Sequence, residues 1–310
     1  MFDLAALSLN PAVDLSFEVE RIYPTHKMRG AQERHDPGGG AINVARVFVR
    51  LGGNARCHYM AGGAGGAALD HLLDLHHLVR ERIAIAGETR ISTSIFERVS
   101  GCEFRFTTAG PEITAGEWAA CLDRMRTLRC DYLVMSGSLP RGVPDDFYAQ
   151  VAGIAAAKGI KVILDSSGRG LAGGLSGPEI LLVKPSLGEL RALSGQALET
   201  EAEILDAASS IVRRGAARHV AVTLGRDGAL LVGRNGHLRM AAVPVEVRSA
   251  VGAGDSFLAA MVFALAEGRK IDAAFRFGVA AGAAAVLSPG TGLAHVEDIR
   301  RIAAQLPQSA

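Results

Sequence analysis

Short, continuously apolar runs recur along the chain, at residues 4–9, 132–136, 162–165, 180–183 and 219–224. Each predicts a strand covered on both faces, as in a buried parallel sheet. Helical patterns fill gaps between them, over 144–158, 187–193 and 201–214. Lys158-Gly159 and Arg214-Gly215 place a basic residue and a glycine where two of these helices should stop. Strand then helix, repeated, predicts βαβ units: a mainly parallel sheet with helices on both faces. Residues 255–267, stopped by Gly268, and 271–287 form an apolar helical pair. No repeat or low-complexity linker divides the chain, so residues 1–310 read as one domain.

Two segments break this pattern. Residues 13–32 and 88–108 alternate polar and apolar positions, most clearly over 90–98 and 102–106. That is the period of exposed antiparallel strands. They are read as two insertions that build a small β-sheet lid; the alternative is ordinary edge strands. One face of the lid is apolar, with Ile91, Thr93 and Ile95 on one strand and Phe104 and Phe106 on another. A small sheet cannot cover such a face alone, and a second copy about a two-fold axis is its simplest cover. A homodimer joined through the lids is expected.

Composition narrows the class. Of 310 residues, 49% are hydrophobic and 21% charged, which excludes a disordered chain. Lys+Arg number 33 against 32 Asp+Glu, a net charge of +1. No global field recruits nucleic acid or an anionic membrane, so bound anions must be held by local groups. The 37 glycines cluster without a period of three, which excludes collagen. Cys57, Cys102, Cys121 and Cys130 form no CxxC pair and no metal-ligand spacing, and read as reduced, buried thiols. Met1-Phe2-Asp3-Leu4 sets no basic segment before an apolar run. The most apolar windows, 256–266 and 279–287, are too short to span ~30 Å of hydrocarbon. The expectation is a cytoplasmic protein.

The strongest local chemistry lies in Val251-Gly252-Ala253-Gly254-Asp255-Ser256-Phe257, which opens an apolar helix. Gly252 and Gly254 let backbone approach a ligand, and the free N–H groups of the first turn form an anion site. Spacing alone leaves Asp255 equally open as a helix cap or a catalyst. An anion cradle with a carboxylate at its rim suits phosphoryl transfer, where a base orients an attacking hydroxyl. A second signal is Asp36-Pro37-Gly38-Gly39-Gly40-Ala41-Ile42-Asn43, three glycines opening a helix that carries a polar side chain. The run Gly63-Ala64-Gly65-Gly66-Ala67-Ala68 fits a dinucleotide fingerprint, but it begins far from the first strand and lacks the later acidic partner. It reads instead as a glycine turn before a helix over 67–78. No P-loop, H-E-x-x-H or G-x-S-x-G pattern is present. Only five lysines occur, at 27, 158, 161, 184 and 270; Lys184 follows a strand and precedes Pro185.

The two glycine signatures, in this order, resemble those of the PfkB family of carbohydrate kinases, in the ribokinase-like superfamily. The branch most similar is the bacterial PfkB-type 6-phosphofructokinases. Leu9-Asn10-Pro11-Ala12-Val13-Asp14, Ser136-Gly137-Ser138-Leu139-Pro140, Asp165-Ser166-Ser167-Gly168 and Thr223-Leu224-Gly225 support this, and the resemblance covers essentially the whole chain. It implies a three-layer α/β/α fold with a lid, and transfer of the γ-phosphate of ATP to the C1 hydroxyl of fructose 6-phosphate. It also implies roles. Asp255 is the base, and Gly252, Ala253 and Gly254 the anion hole. Asp14, Gly39, Asn43, Arg90, Arg105 and Ser138 hold the sugar phosphate, and Lys27 reaches the active site across a dimer. Lys184, Ser186, Thr223, Leu224, Gly225, Arg226, Asp227, Gly228 and Gly282 lie on the ATP side. Glu189 serves Mg²⁺ through water, and Ser249, Val251, Ala285, Ser288, Gly290 and Gly292 bind K⁺. Two positions depart from the family: Ser186 stands for the usual Asn of N-x-x-E, and Gly292 for an Arg. Rival readings are 1-phosphofructokinase, tagatose-6-phosphate kinase and a non-catalytic sugar-phosphate sensor. The first two commonly carry G-K-G where this chain has Gly39-Gly40-Ala41.

Overall fold

The computed structural model describes residues 3–306; Met1 and Phe2, which bear on the question of a leader, lie outside the described residues. The first half of the chain runs β1 (Asp3–Ser8), β2 (Ala12–Val19), β3 (Ala31–Gly38), α1 (Gly40–Arg50), β4 (Asn54–Ala61), α2 (Gly63–Leu75), β5 (Val79–Ala84), β6 (Arg90–Glu97), β7 (Cys102–Thr107), α3 (Ala115–Arg126) and β8 (Tyr132–Ser136). The second half runs α4 (Phe147–Ala156), β9 (Lys161–Asp165), α5 (Gly168–Gly174), β10 (Ile180–Val183), α6 (Leu187–Ser194), α7 (Glu201–Arg213), β11 (Ala217–Thr223), β12 (Ala229–Gly233), β13 (Gly236–Met240), α8 (Ala253–Ala266), α9 (Ile271–Ala285) and α10 (Val296–Ala303).

The large sheet has the order β13-β12-β11-β10-β9-β8-β1-β4-β5. Neighbours from β11 to β5 are parallel, while β12 and β13 turn back as an antiparallel hairpin. Its strands read as unbroken apolar runs because alternate side chains enter two different cores. Leu4 and Ala6 of β1 and Tyr132 and Val134 of β8 join α1, α8 and α9 on one face. Ala5 and Leu7, with Leu133 and Met135, join α3, α4 and α7 on the other. The result is a three-layer α/β/α stack. Truncating Leu7 or Leu133 to Ala would cost about 2–5 kcal/mol, since each is fully buried. Helix α8 is buried on nearly every side. It packs on α9 where Gly278 leaves room; a Cβ there would stand 2.6 Å from Met261 Cγ and 3.0 Å from the Phe257 carbonyl oxygen.

The small sheet is separate and has the order β3-β2-β6-β7. Strands β2 and β6 are parallel, and the outer pairs antiparallel. Two loops therefore contribute one hairpin each. Strand β3 runs to Gly38, past the expected limit at 32, and leads straight into α1 at Gly40. Two other boundaries differ. Helix α2 starts at Gly63, so the glycines are its first turn rather than a turn before it. The pattern over 144–158 yields only Phe147–Ala156 as helix. The β12–β13 hairpin is an addition to the expected elements, although Asn235-Gly236 is a hairpin signal and Gly236 has φ 136°.

Candidate active site

Strand β1 lies between β8 and β4, where the order of connections reverses. In such sheets the crevice opens beyond the carboxyl ends of the strands. Ser136 ends β8, Asp165 ends β9 and Lys184 follows β10. A cleft of about 330 Å³ opens there, bounded by Ser136 and Asp165, the N-termini of α1 and α8, and the small sheet.

Gly252 caps α8 with φ 71° and brings no side chain to accept from the first turn, where Ala253 N reaches back to Ala250 O at 3.4 Å. As in any helix, the first-turn N–H groups have no intrahelical acceptor, and they form the positive end of the helix dipole. A Cβ on Gly252 would stand 2.2 Å from Leu293 Cδ2, so only glycine fits. Asp255 is the third residue of α8, and its Oδ2 accepts from Asn43 Nδ2 at 2.9 Å. That bond runs across to α1, so Asp255 does not cap its own helix. Burial raises its pKa, against the Asn43 donor, Lys184, Arg105 and Arg46. Gly40 leaves the other oxygen open: a Cβ there would come 3.3 Å from Asp255 Oδ1 and 2.2 Å from Ser136 Oγ.

The small sheet supplies the opposite wall. Its period of two turns Asp14, Arg90, Ser92, Arg105 and Thr107 toward the cleft. The other face carries Ile91, Phe104 and Phe106, which are 53%, 38% and 57% exposed. Arg90 is braced by the carbonyls of Asn10 (2.8 Å) and Thr108 (2.9 Å). Burial pushes the Asp14 carboxyl up to about 6, although Arg105 and Arg46 pull it down. Gly39, Asn43 and Ser138 also line the cleft.

Lys184 is buried and donates to Asp165 Oδ1 at 3.0 Å. Burial favours its neutral form, but Asp165, Asp255 and Glu189 outweigh that and keep it charged. It stands 3.3 Å from where a Gly254 Cβ would be, so this glycine brings the lysine against the mouth of α8.

The pfkB family carbohydrate kinase pattern matches residues 5–298. The chain belongs to the pfkB family of carbohydrate kinases. It is 41% identical to ATP-dependent 6-phosphofructokinase isozyme 2 of Mycobacterium tuberculosis over 300 residues, 96% of this chain and 88% of that one. The structure of Escherichia coli phosphofructokinase-2 in complex with potassium superposes with a TM-score of 0.94 at 37% identity, covering 98% and 99% of the two chains. The same protein with fructose-6-phosphate gives 0.92 at 36% identity, covering 99% of each.

The remaining expected residues of this pfkB kinase fall in three places. Ser186 and Glu189 form a capping box: Ser186 N and Oγ donate to Glu189 Oε2 at 2.7 and 2.9 Å, and Glu189 N donates to Ser186 Oγ at 3.2 Å. Thr114 with Glu117, and Thr200 with Glu203, make the same box on other helices. S-x-x-E is thus a helix start here, although Glu189 also reaches the cleft wall. The segment from Thr223 to Gly228 is docked beside it, with Thr223 N donating to Pro185 O at 3.0 Å. Gly282 faces the start of α8, where a Cβ on it would lie 3.6 Å from the Ala253 carbonyl oxygen.

The two segments expected to bind potassium meet, since Arg248 N donates to Val286 O at 2.8 Å. Ser249 donates to the Glu103 carboxylate (3.1 Å to Oε2), and Ser288 Oγ donates to Leu293 O at 2.9 Å. Gly292 O accepts from Arg50 at 2.9 Å. Lys27 lies in the exposed loop between β2 and β3, outside the cleft lining.

Sequence reasoning missed Asp165, Ser136 and Glu103. The first two had a readable signal, polar residues ending apolar strands where such sheets bind ligands. Glu103 had none, because its partner Ser249 is 146 residues away.

Proposed function

We propose that this chain is an ATP-dependent 6-phosphofructokinase, transferring the γ-phosphate of ATP to the C1 hydroxyl of fructose 6-phosphate. The observation that carries the reading is a carboxylate base at the mouth of α8 facing two lid arginines across one cleft. Arg90 and Arg105 grip the 6-phosphate, since guanidinium forks suit a dianion and an unphosphorylated sugar would need neither. Asp14, Gly39, Asn43 and Ser138 orient the sugar hydroxyls. Asp255 takes the C1 hydroxyl proton as that oxygen attacks, and the N–H groups of Gly252, Ala253 and Gly254 bear the charge that develops. Lys184 and the segments around Ser186, Thr223 and Gly282 form the ATP side. The lid excludes water, which suppresses idle ATP hydrolysis.

Glu189 and Asp165 present hard oxygen atoms to the cleft, which fits Mg²⁺. Bound there with ATP, it would neutralise phosphate charge. The hydroxyls of Ser249 and Ser288 and the carbonyls of Val251, Ala285 and Gly290 are donors fit for K⁺, whereas Gly292 O already faces the Arg50 cation. Ile91, Phe104 and Phe106 support a homodimer through the lids, with Lys27 at the partner's cleft; light scattering reading a 32.4 kDa species with full activity would refute it. The net charge of +1 fits work in the cytoplasm on small anions.

A coupled assay with ATP tests the function against fructose 6-phosphate, fructose 1-phosphate and tagatose 6-phosphate. Highest kcat/KM for fructose 6-phosphate is expected. Preference for either rival would move the assignment, and turnover of none of the three would refute the hexose-phosphate reading and the role given to the lid.

A further inference from the structure

Beneath the cleft lies a buried ion pair that touches no cleft surface. Arg46 Nη2 donates to Asp36 Oδ1 at 2.8 Å, with side chains 1% and 5% exposed. Burying two charges is costly, and an apolar pair of similar volume is often as stable. Packing alone therefore gives this pair no purpose. Its remaining bonds do.

Arg46 Nη1 donates to Asn43 Oδ1 and to Pro37 O, each at 3.2 Å. Asn43 and Arg46 are three residues apart on α1 and so share one face. An asparagine amide has a donor end and an acceptor end, and arginine can only donate. Arg46 thus selects the acceptor end, which turns Nδ2 toward Asp255 Oδ2 at 2.9 Å. The flipped amide would set a carbonyl against the carboxylate and an NH₂ against the guanidinium. With Oδ2 occupied, Asp255 offers Oδ1, the oxygen beside Gly40.

The pair has a second reach. Asp36 Oδ2 accepts from Thr291 Oγ1, on the loop after α9. Two residues on, Leu293 packs beneath Gly252 at the mouth of α8. One ion pair therefore braces both the base and the anion hole.

We propose that Arg46, held by Asp36, is a positioning residue for phosphoryl transfer: it fixes the Asn43 amide so that Asp255 presents Oδ1 to the attacking hydroxyl. This rests on the kinase reading above only for the identity of the attacking group.

The test compares Arg46→Met, Asn43→Ala and their combination, with whichever sugar phosphate the wild type turns over. Arg46→Met should lower kcat about tenfold or more, the worth of a charge-assisted bond, with KM for ATP within about twofold. In the Asn43→Ala background the same change should cost less than about twofold. Independent, multiplying losses would overturn the proposal. Arg46→Met leaves the buried Asp36 charge only the longer contacts to Arg34 (3.7 Å) and His76 (3.6 Å), so it is paired with Asp36→Asn, which removes both charges of the pair and should restore much of the lost Tm. A restored Tm with kcat still low supports positioning; recovery of both would show the pair to be structural. A readout free of turnover is the side-chain amide spectrum of ¹⁵N-asparagine protein, which has only four asparagines. The Asn43 pair, identified by its loss in Asn43→Ala, should shift and exchange faster with water in the double charge-removing variant. An unchanged Asn43 signal there would sink the idea whatever the substrate proves to be.

Discussion

Asp14→Asn should make the free protein more stable while ruining its substrate affinity. Burial moves this carboxyl from 3.8 to about 6 despite the pull of Arg105 and Arg46. At 1.36 kcal/mol per pH unit, the folded state is penalised by about 3 kcal/mol when the group is charged. Water in the open cleft reduces that to about 1–2 kcal/mol. Because the folded pKa lies above the unfolded one, the penalty is full above about 6, shrinks as the pH falls through 6, and vanishes below 3.8. Asparagine is neutral throughout and carries no such penalty. Calorimetry at pH 8 should therefore show Tm raised by about 1.5–3 °C in the variant. The gap should close toward pH 4.5. In the coupled assay, KM for the sugar phosphate should rise at least about tenfold, since a charged acceptor of sugar hydroxyls is lost. A gap of the same size at both pH values, or a less stable variant at pH 8, would refute the reasoning. The strain would then lie in packing, not in the buried charge.

Asp255→Asn keeps the shape and the bond from Asn43 but cannot take a proton, so kcat should drop about 10²–10⁴-fold with ligand binding intact by calorimetry; near-normal turnover would remove Asp255 from the role. Arg90→Ala and Arg105→Ala should each raise KM for the sugar phosphate about tenfold to a hundredfold and leave KM for ATP little changed. The opposite split would mean the lid faces the nucleotide. Arg50→Gln removes the cation at Gly292 O, so KCl should raise Tm more in the variant than in the wild type, against a choline chloride control. Equal responses would show that Arg50 does not compete with potassium.

Much of this architecture is legible in the chain itself. Apolar runs such as 132–136 and 180–183 became β8 and β10 residue for residue, because a strand buried on both faces needs no polar position. The alternation at 90–98 likewise foretold a sheet with two unlike faces. These are local signals: the period of a pattern is set by the backbone, and neighbours in sequence carry it. The two glycine signatures marked the walls of the cleft for the same reason, since close backbone approach demands glycine wherever the chain folds. What the tertiary structure decided is which polar groups meet. Spacing could not separate a cap from a base at Asp255, because both sit in the first turn; only Asn43, 212 residues away, turns the carboxylate off its own helix. Ser186-x-x-Glu189 has the spacing of a metal motif and of a capping box alike, and the fold closes the box. Asp36 and Arg46 bracket the first glycine signature, and nothing local records that they pair or that Asp36 meets Thr291, 255 residues away. A hydrogen bond is short and directional, so its partner is fixed by where distant elements dock, and no local pattern records that.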